Sequence, residues 1–171
     1  MLGVILEEML HHVNENDEVL GKIGRSVAHS KGLLHRAGMV FLMNSEGRVL
    51  INRRSSEKKI FPSCCDSSVS FHVTYGETYE DSAKREAMEE IKIKAPLKNI
   101  GKIIHTDPPE HQIVSVFLCI SDDEPIIDPK EFSSQNFYSI NEVGKIIENE
   151  KITPWLRDGW KILIRYLKKK L

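Results

Sequence analysis

Cysteine is scarce in this 171-residue chain, which has three, Cys64, Cys65 and Cys119. An odd count without a C-x-x-C pair gives no disulfide framework, and a reducing cytoplasm is the expected compartment. Neither sign of charge prevails: 24 lysines and arginines stand against 25 acidic residues. No global field therefore recruits nucleic acid or a membrane surface. Long apolar runs are missing too. The N-terminal MLGVIL is followed at once by acidic residues, falls far short of the ~18 residues that span a bilayer, and does not read as a targeting segment. There is no repeat, low-complexity block or linker. With 40% apolar residues the chain can build one sizeable core but not two, so residues 1–171 are expected to form one domain.

What is present is an alternation of β-rich and helical segments. Met1 to Lys22 suggests a hairpin pivoting at Asn14 to Asp17, with a short N-terminal helix as the alternative. Residues 38–44 and 48–52 read as strands joined by a polar turn, and 67–73 as a further extended segment. After a helix come β-rich runs at 100–105 and 113–120, separated by Asp107-Pro108-Pro109, then a short strand at 136–140. Residues 142–149 and 154–170 look helical, the second ending in a basic tail that suits a helix C-terminus. An α/β fold with a mixed sheet flanked by helices follows.

The most informative segment runs from Gly76 to Ile93, GETYEDSAKREAMEEIKI. Thr78 can cap a helix with Asp81 three residues on. Ala83, Ala87 and Ile91 repeat every four positions and define a buried stripe, leaving Glu86, Glu89 and Glu90 on a neighbouring arc. Carboxylates so close repel one another unless a cation sits between them. Magnesium suits the role, since it takes oxygen ligands and is commonly held by a few carboxylates together with substrate phosphates. Arg85 precedes Glu89 by four residues and can orient it.

This segment resembles the motif of the Nudix hydrolase family: glycine, five residues, Glu, seven residues, then Arg-Glu-aliphatic-x-Glu-Glu-x-Gly-aliphatic. Glu77, Arg85, Glu86, Ala87, Glu89, Glu90 and Ile93 fall in the matching positions, while Phe71 and Lys92 stand where the motif has glycine. The resemblance implies an α-β-α Nudix sandwich. It also implies catalysis by Arg85, Glu86, Glu89 and Glu90, with the three glutamates holding Mg2+, or Mn2+ as the alternative ion. Phe71 raises the question of loop geometry, because a bulky residue resists positive φ.

Residues outside the motif are similar to the branch that contains isopentenyl-diphosphate isomerase. Its diphosphate-binding arginine and lysine match Arg54 and Lys58 in the basic cluster Arg53, Arg54, Lys58, Lys59, and a tryptophan bordering its pocket matches Trp155. Trp160 reads as a core residue. His29, His35, His72 and Glu110 fall close to that branch's metal ligands and imply a second metal site. The catalytic cysteine position is Ser70 and the acidic catalyst position is Gln112. Serine has too high a pKa for the cysteine's role and glutamine exchanges no proton. His11, His12 and His105 carry no hypothesis.

The expectation is a Mg-dependent diphosphohydrolase acting on a small, nucleoside diphosphate-type substrate. The general base stays open among Glu89, Glu110 and Glu142. The alternatives are an isomerase-like protein and a catalytically weak diphosphate-binding or sensing module, the latter motivated by Phe71 and Lys92. A homodimer is compatible with the sequence.

Overall fold

A computed structural model describes residues 6–170. Among the described residues, nine strands and four helices follow one another: β1 (Met9–Val13), β2 (Val19–Gly24), α1 (Arg25–Lys31), β3 (His35–Met43), β4 (Val49–Arg54), β5 (Cys65–Asp66), β6 (Val69–His72), α2 (Tyr79–Ile91), β7 (Leu97–His105), β8 (Gln112–Ile120), β9 (Phe132–Tyr138), α3 (Ile140–Asn149) and α4 (Pro154–Lys168). The N-terminal hairpin forms with its turn at the expected place. There Asn14 Oδ1 accepts from the backbone N–H groups of Asn16 and Glu18, both at 3.0 Å. From Met9 onward the segment is strand rather than helix, and residues 1–5 lie outside the described residues.

The sheet is mixed and centred on β3. This strand runs parallel to β8 along its whole length, from His35↔Gln112 to Met43↔Ile120, and antiparallel to β6 over Ala37↔His72 to Val40↔Val69. A strand covered on both faces reads as an unbroken apolar run, and AGMVFLM is one. Its alternation divides the core. Ala37, Met39, Phe41 and Met43 face α3 and α4 with Val143, Leu156 and Leu163, while Val40 and Leu42 face α2 with Ala83, Ala87 and Ile91. The result is the expected α-β-α sandwich.

Local chemistry explains the helices that carry the site. Thr78 accepts from the Asp81 N–H in a capping box that opens α2, and Ala83, Ala87 and Ile91 are buried as the spacing predicts. Pro154 opens α4, and Trp155, Leu156, Gly159, Trp160 and Leu163 face inward. Gly159 is required by close approach: a Cβ there would lie 2.1 Å from Met39 Sδ. Strands β3 and β7 each begin three residues before their expected starts, and α1 and β9 differ further. The seven-residue α1 follows Gly24, an N-cap without a side chain to bond the helix, so the sequence carries no start signal for it. Strand β9 begins at Phe132, four residues before the expected 136, because its pairing with β4 extends back to Arg54↔Phe132 through polar residues with no alternating pattern.

Candidate active site

Helix α2 and strands β3, β4, β6 and β8 surround a cleft of about 210 Å3. Glu86 and Glu90 project into it from α2, Arg54 and Lys58 from β4 and the loop that follows, and Trp155 from α4. The expected phosphate-binding and metal-binding residues are thus brought together. Glu89 is the exception, since it does not line the cleft and its side chain is 57% exposed.

Arg85 organises the carboxylates. Its Nε and Nη2 donate to the two oxygens of Glu77 at 3.0 and 2.9 Å, a fork-to-fork pair, and Nη1 donates to Glu86 at 2.7 Å and to Glu89 at 3.3 Å. Nη2 also donates to Thr74 Oγ1 at 3.1 Å, which ties the helix to the segment that follows β6. Bonding to Arg85 holds Glu77 below the usual carboxylate range. Burial pushes Glu86 up despite Arg85. Glu90 is pushed up furthest, by burial and then by its neighbours Glu86 and Glu131, and its Oε2 has no hydrogen-bond partner. A buried, unpartnered carboxylate oxygen facing a cleft beside another carboxylate fits a hard divalent cation.

Neither missing glycine disturbs the frame. Phe71 lies within β6 and needs no positive φ, because the chain is extended there. Lys92 does adopt the left-handed conformation of a helix C-cap, with φ 58° and ψ 28°, and its Nζ donates to the Glu89 carbonyl at 2.8 Å.

Of the basic cluster, Arg53 turns away from the cleft and pairs with Glu150 at 2.6 Å. Arg54 points inward and lies over the Trp155 ring, 5.7 Å from its centroid. Lys58 pairs with Glu131, a lining residue from the loop before β9. Trp155 is a buried wall whose indole N–H donates to Asp66 at 2.9 Å, and Trp160 sits in the core as expected. Glu142 caps α3 and lies outside the cleft, which removes it from the candidate bases.

The scattered histidines converge. His29, His35, His72 and Glu110 place one potential ligand atom each within 4.8 Å of one another, an arrangement that could hold a metal ion. His29 Nε2 is 3.3 Å from Glu110 Oε2, with His72 Nε2 at 3.7 Å and His35 Nε2 at 3.8 Å. His35 Nδ1 donates to the Leu33 carbonyl at 2.8 Å, leaving the Nε2 lone pair for the cluster. Burial lowers its pKa to about 4. Burial lowers His29 as well. Burial alone would raise Glu110, but bonding to His72 and the charges of the three imidazoles carry it below the usual range. Gln112 enters the same cluster, its amide nitrogen donating to Glu110 and lying 3.2 Å from His72 Nε2. Three imidazoles and a carboxylate are a donor set that suits transition ions. Asp66, Glu131 and Glu8 also belong to the cleft or its support; they come from β5, the loop before β9 and the segment before β1, and no spacing in the sequence pointed to them.

An α-β-α sandwich thus carries, in one cleft, the carboxylates of α2 and the cationic side chains of Arg54 and Lys58. The Nudix domain family matches residues 33–157, and the chain belongs to that family. It is 37% identical to an uncharacterized Nudix hydrolase of Nostoc, over 73% of this chain and 76% of that protein. It is 32% identical to isopentenyl-diphosphate Delta-isomerase 1 of Photorhabdus laumondii, over 86% and 90% respectively. The crystal structure of DR0079 from Deinococcus radiodurans superimposes with a TM-score of 0.77 at 29% identity, covering 92% of this chain and 98% of that one. The family match begins after α1, so His29 and the hairpin lie outside it.

Proposed function

We propose that this chain is a divalent-metal-dependent hydrolase that cleaves the diphosphate linkage of a small substrate, a nucleoside diphosphate derivative by default. The observation that carries the proposal is Glu90, a buried carboxylate with an unpartnered oxygen in a cleft that also holds Arg54 and Lys58. Glu86 and Glu90 would hold the ion, Mg2+ or Mn2+, with Glu89 at the rim. When bound, it supplies charge neutralisation at phosphoryl oxygens and a more acidic water.

The chain's own residues do the rest. Arg85 keeps Glu86 aimed into the cleft. Arg54 and Lys58 bind and orient the diphosphate, the guanidinium by paired N–H groups and the ammonium as a point charge. Water attacks one phosphorus, the bridging P–O bond breaks, and the leaving phosphate departs with the bond electrons. Glu8, Glu110 and Glu131 are the cleft carboxylates outside the helix available to take the water's proton. His29, His35, His72 and Glu110 would form a second site for a transition ion, in competition with the Gln112 amide that already satisfies Glu110.

The binding-module alternative loses its motive, because Phe71 fits a strand and Lys92 a C-cap. The isomerase alternative lacks an acid–base pair, with Ser70 and Gln112 in the relevant places. A panel of nucleoside diphosphates, other small diphosphates and isopentenyl diphosphate, incubated with Mg2+, tests the proposal. Metal-dependent release of phosphate, pyrophosphate or a monophosphate is expected. No hydrolysis of any member, or dimethylallyl diphosphate as the main product, overturns it.

A further inference from the structure

Asp66, at the end of β5, is fully buried, yet donors from four parts of the chain converge on it. Its Oδ1 accepts from the Ser67 backbone N–H at 2.7 Å, the Trp155 indole at 2.9 Å, the Ser70 hydroxyl at 2.9 Å and the Thr153 hydroxyl at 3.0 Å. Its Oδ2 accepts from Arg54 Nη1 at 3.1 Å. Three of these partners, Arg54, Ser70 and Trp155, line the cleft; Asp66 itself does not. We infer that Asp66 is the positioning residue that presets Arg54 for the diphosphate, an inference that rests on the function proposed above.

The donor count supports the role. A guanidinium has five N–H donors. In Arg54 one goes to Asp66, one to the Ile60 carbonyl at 3.0 Å and one to the Phe61 carbonyl at 3.2 Å, which leaves two for an anion in the cleft. A long side chain that would otherwise sample many rotamers is held as a rigid fork, so little ordering entropy is lost when the anion binds. Trp155 closes the arrangement from α4, its ring beneath the guanidinium and its N–H on the same carboxylate. The C-terminal segment is thereby tied to the phosphate end of the cleft.

Binding of inorganic pyrophosphate in the presence of Mg2+, measured by calorimetry on the full chain, tests this without requiring turnover. Asp66→Asn keeps the shape of the side chain but removes the charge that anchors Arg54. Loss of that anchor should weaken binding about tenfold or more, as expected for a charge-assisted bond. In an Arg54→Ala background the same change should cost less than about twofold, because the two act through one contact. In hydrolysis of whichever diphosphate the panel identifies, Asp66→Asn should raise KM about tenfold with kcat within about threefold. Thr153→Val guards against misfolding of the first variant. It removes one donor to Asp66 from a residue that does not line the cleft, and should weaken pyrophosphate binding several-fold with a normal melting curve. Parent-like binding by either folded variant, or an equal loss from Asp66→Asn with and without Arg54, overturns the inference and leaves the proposed function standing. A parent protein that does not bind pyrophosphate at all also overturns the inference, while the substrate panel decides the proposed function separately.

Discussion

The ring of Phe71 occupies the space above Gly38 on the neighbouring strand, where an added Cβ would lie 2.3 Å from the ring's Cζ. The two residues are directly opposed in the β3–β6 ladder, and Phe71 lines the cleft. The family motif has glycine at the position of Phe71, so the bulk that the motif keeps off one strand is here accommodated by an absence on the other. Gly38→Ala alone should therefore destabilise the fold by about 1–3 kcal/mol, the usual cost of overpacking. Combining it with Phe71→Gly should recover part of that loss. Chemical denaturation of the two single variants and the double variant measures the coupling; additive losses would contradict the opposition.

Lys92 supplies the second prediction. An L-residue in the left-handed region pays a penalty that glycine avoids. Lys92→Gly should raise stability by about 1 kcal/mol, or roughly 2–4 °C in Tm for a chain of this size. Turnover should not change, because Lys92 does not line the cleft. A lower Tm would show that its bond to the Glu89 carbonyl outweighs the backbone strain.

The pH dependence of the metal-free protein follows from Glu90. Burial raises its folded-state pKa well above the ordinary 4.5, so the folded state holds this proton more tightly than the unfolded state does. Its contribution to stability is then present below the ordinary value and lost as pH rises through the raised one. Glu86, raised also by burial, acts in the same direction. In EDTA, Glu90→Gln should melt several degrees above the parent at pH 8, and the gap should shrink toward pH 5. Mg2+ should raise the parent's Tm and leave the variant's nearly unchanged. Thermal melts at the two pH values, with and without Mg2+, check both points.

Much of the fold was legible because local chemistry and tertiary packing agree. The Asn14 turn, the apolar run of β3, the Thr78 capping box and the Ala83–Ala87–Ile91 stripe each carry a signal within a few residues. Helix α1 was not legible: RSVAHSK buries only Ala28 and lacks a capping side chain, so its packing against the hairpin decides its conformation. Strand β9 was shifted because an exposed strand of FSSQNFY has no period-two pattern. In the site, the spacing of Glu86 and Glu90 on α2 was enough to place both in the cleft, but Glu89 pairs with Arg85 outside it. Glu131 reaches the cleft, and Asp66 supports Arg54 behind it, from segments far apart in the chain, and no spacing rule connects them.

Isomerase chemistry provides the fourth prediction. Ser70 faces the cleft, but its hydroxyl is engaged with Asp66 at 2.9 Å and Ser67 at 2.8 Å, and Gln112 has no proton to exchange. The parent should not convert isopentenyl diphosphate to dimethylallyl diphosphate at a useful rate. The double variant Ser70→Cys, Gln112→Glu should gain detectable conversion if the pocket shape is shared with the isomerase relatives. Efficient conversion by the parent would contradict the assignment.

The proposed function turns on Glu90 as the holder of the metal on which diphosphate cleavage would depend. It is tested most directly by kcat/KM of the parent and of Glu90→Gln on the best substrate of the panel, at saturating Mg2+ and with folding of both proteins verified by circular dichroism. Loss of a metal-holding carboxylate removes several kcal/mol of transition-state stabilisation, so a fall of about a hundredfold or more is predicted, with no turnover by either protein in EDTA. A folded Glu90→Gln variant that retains the parent's kcat/KM would contradict the account.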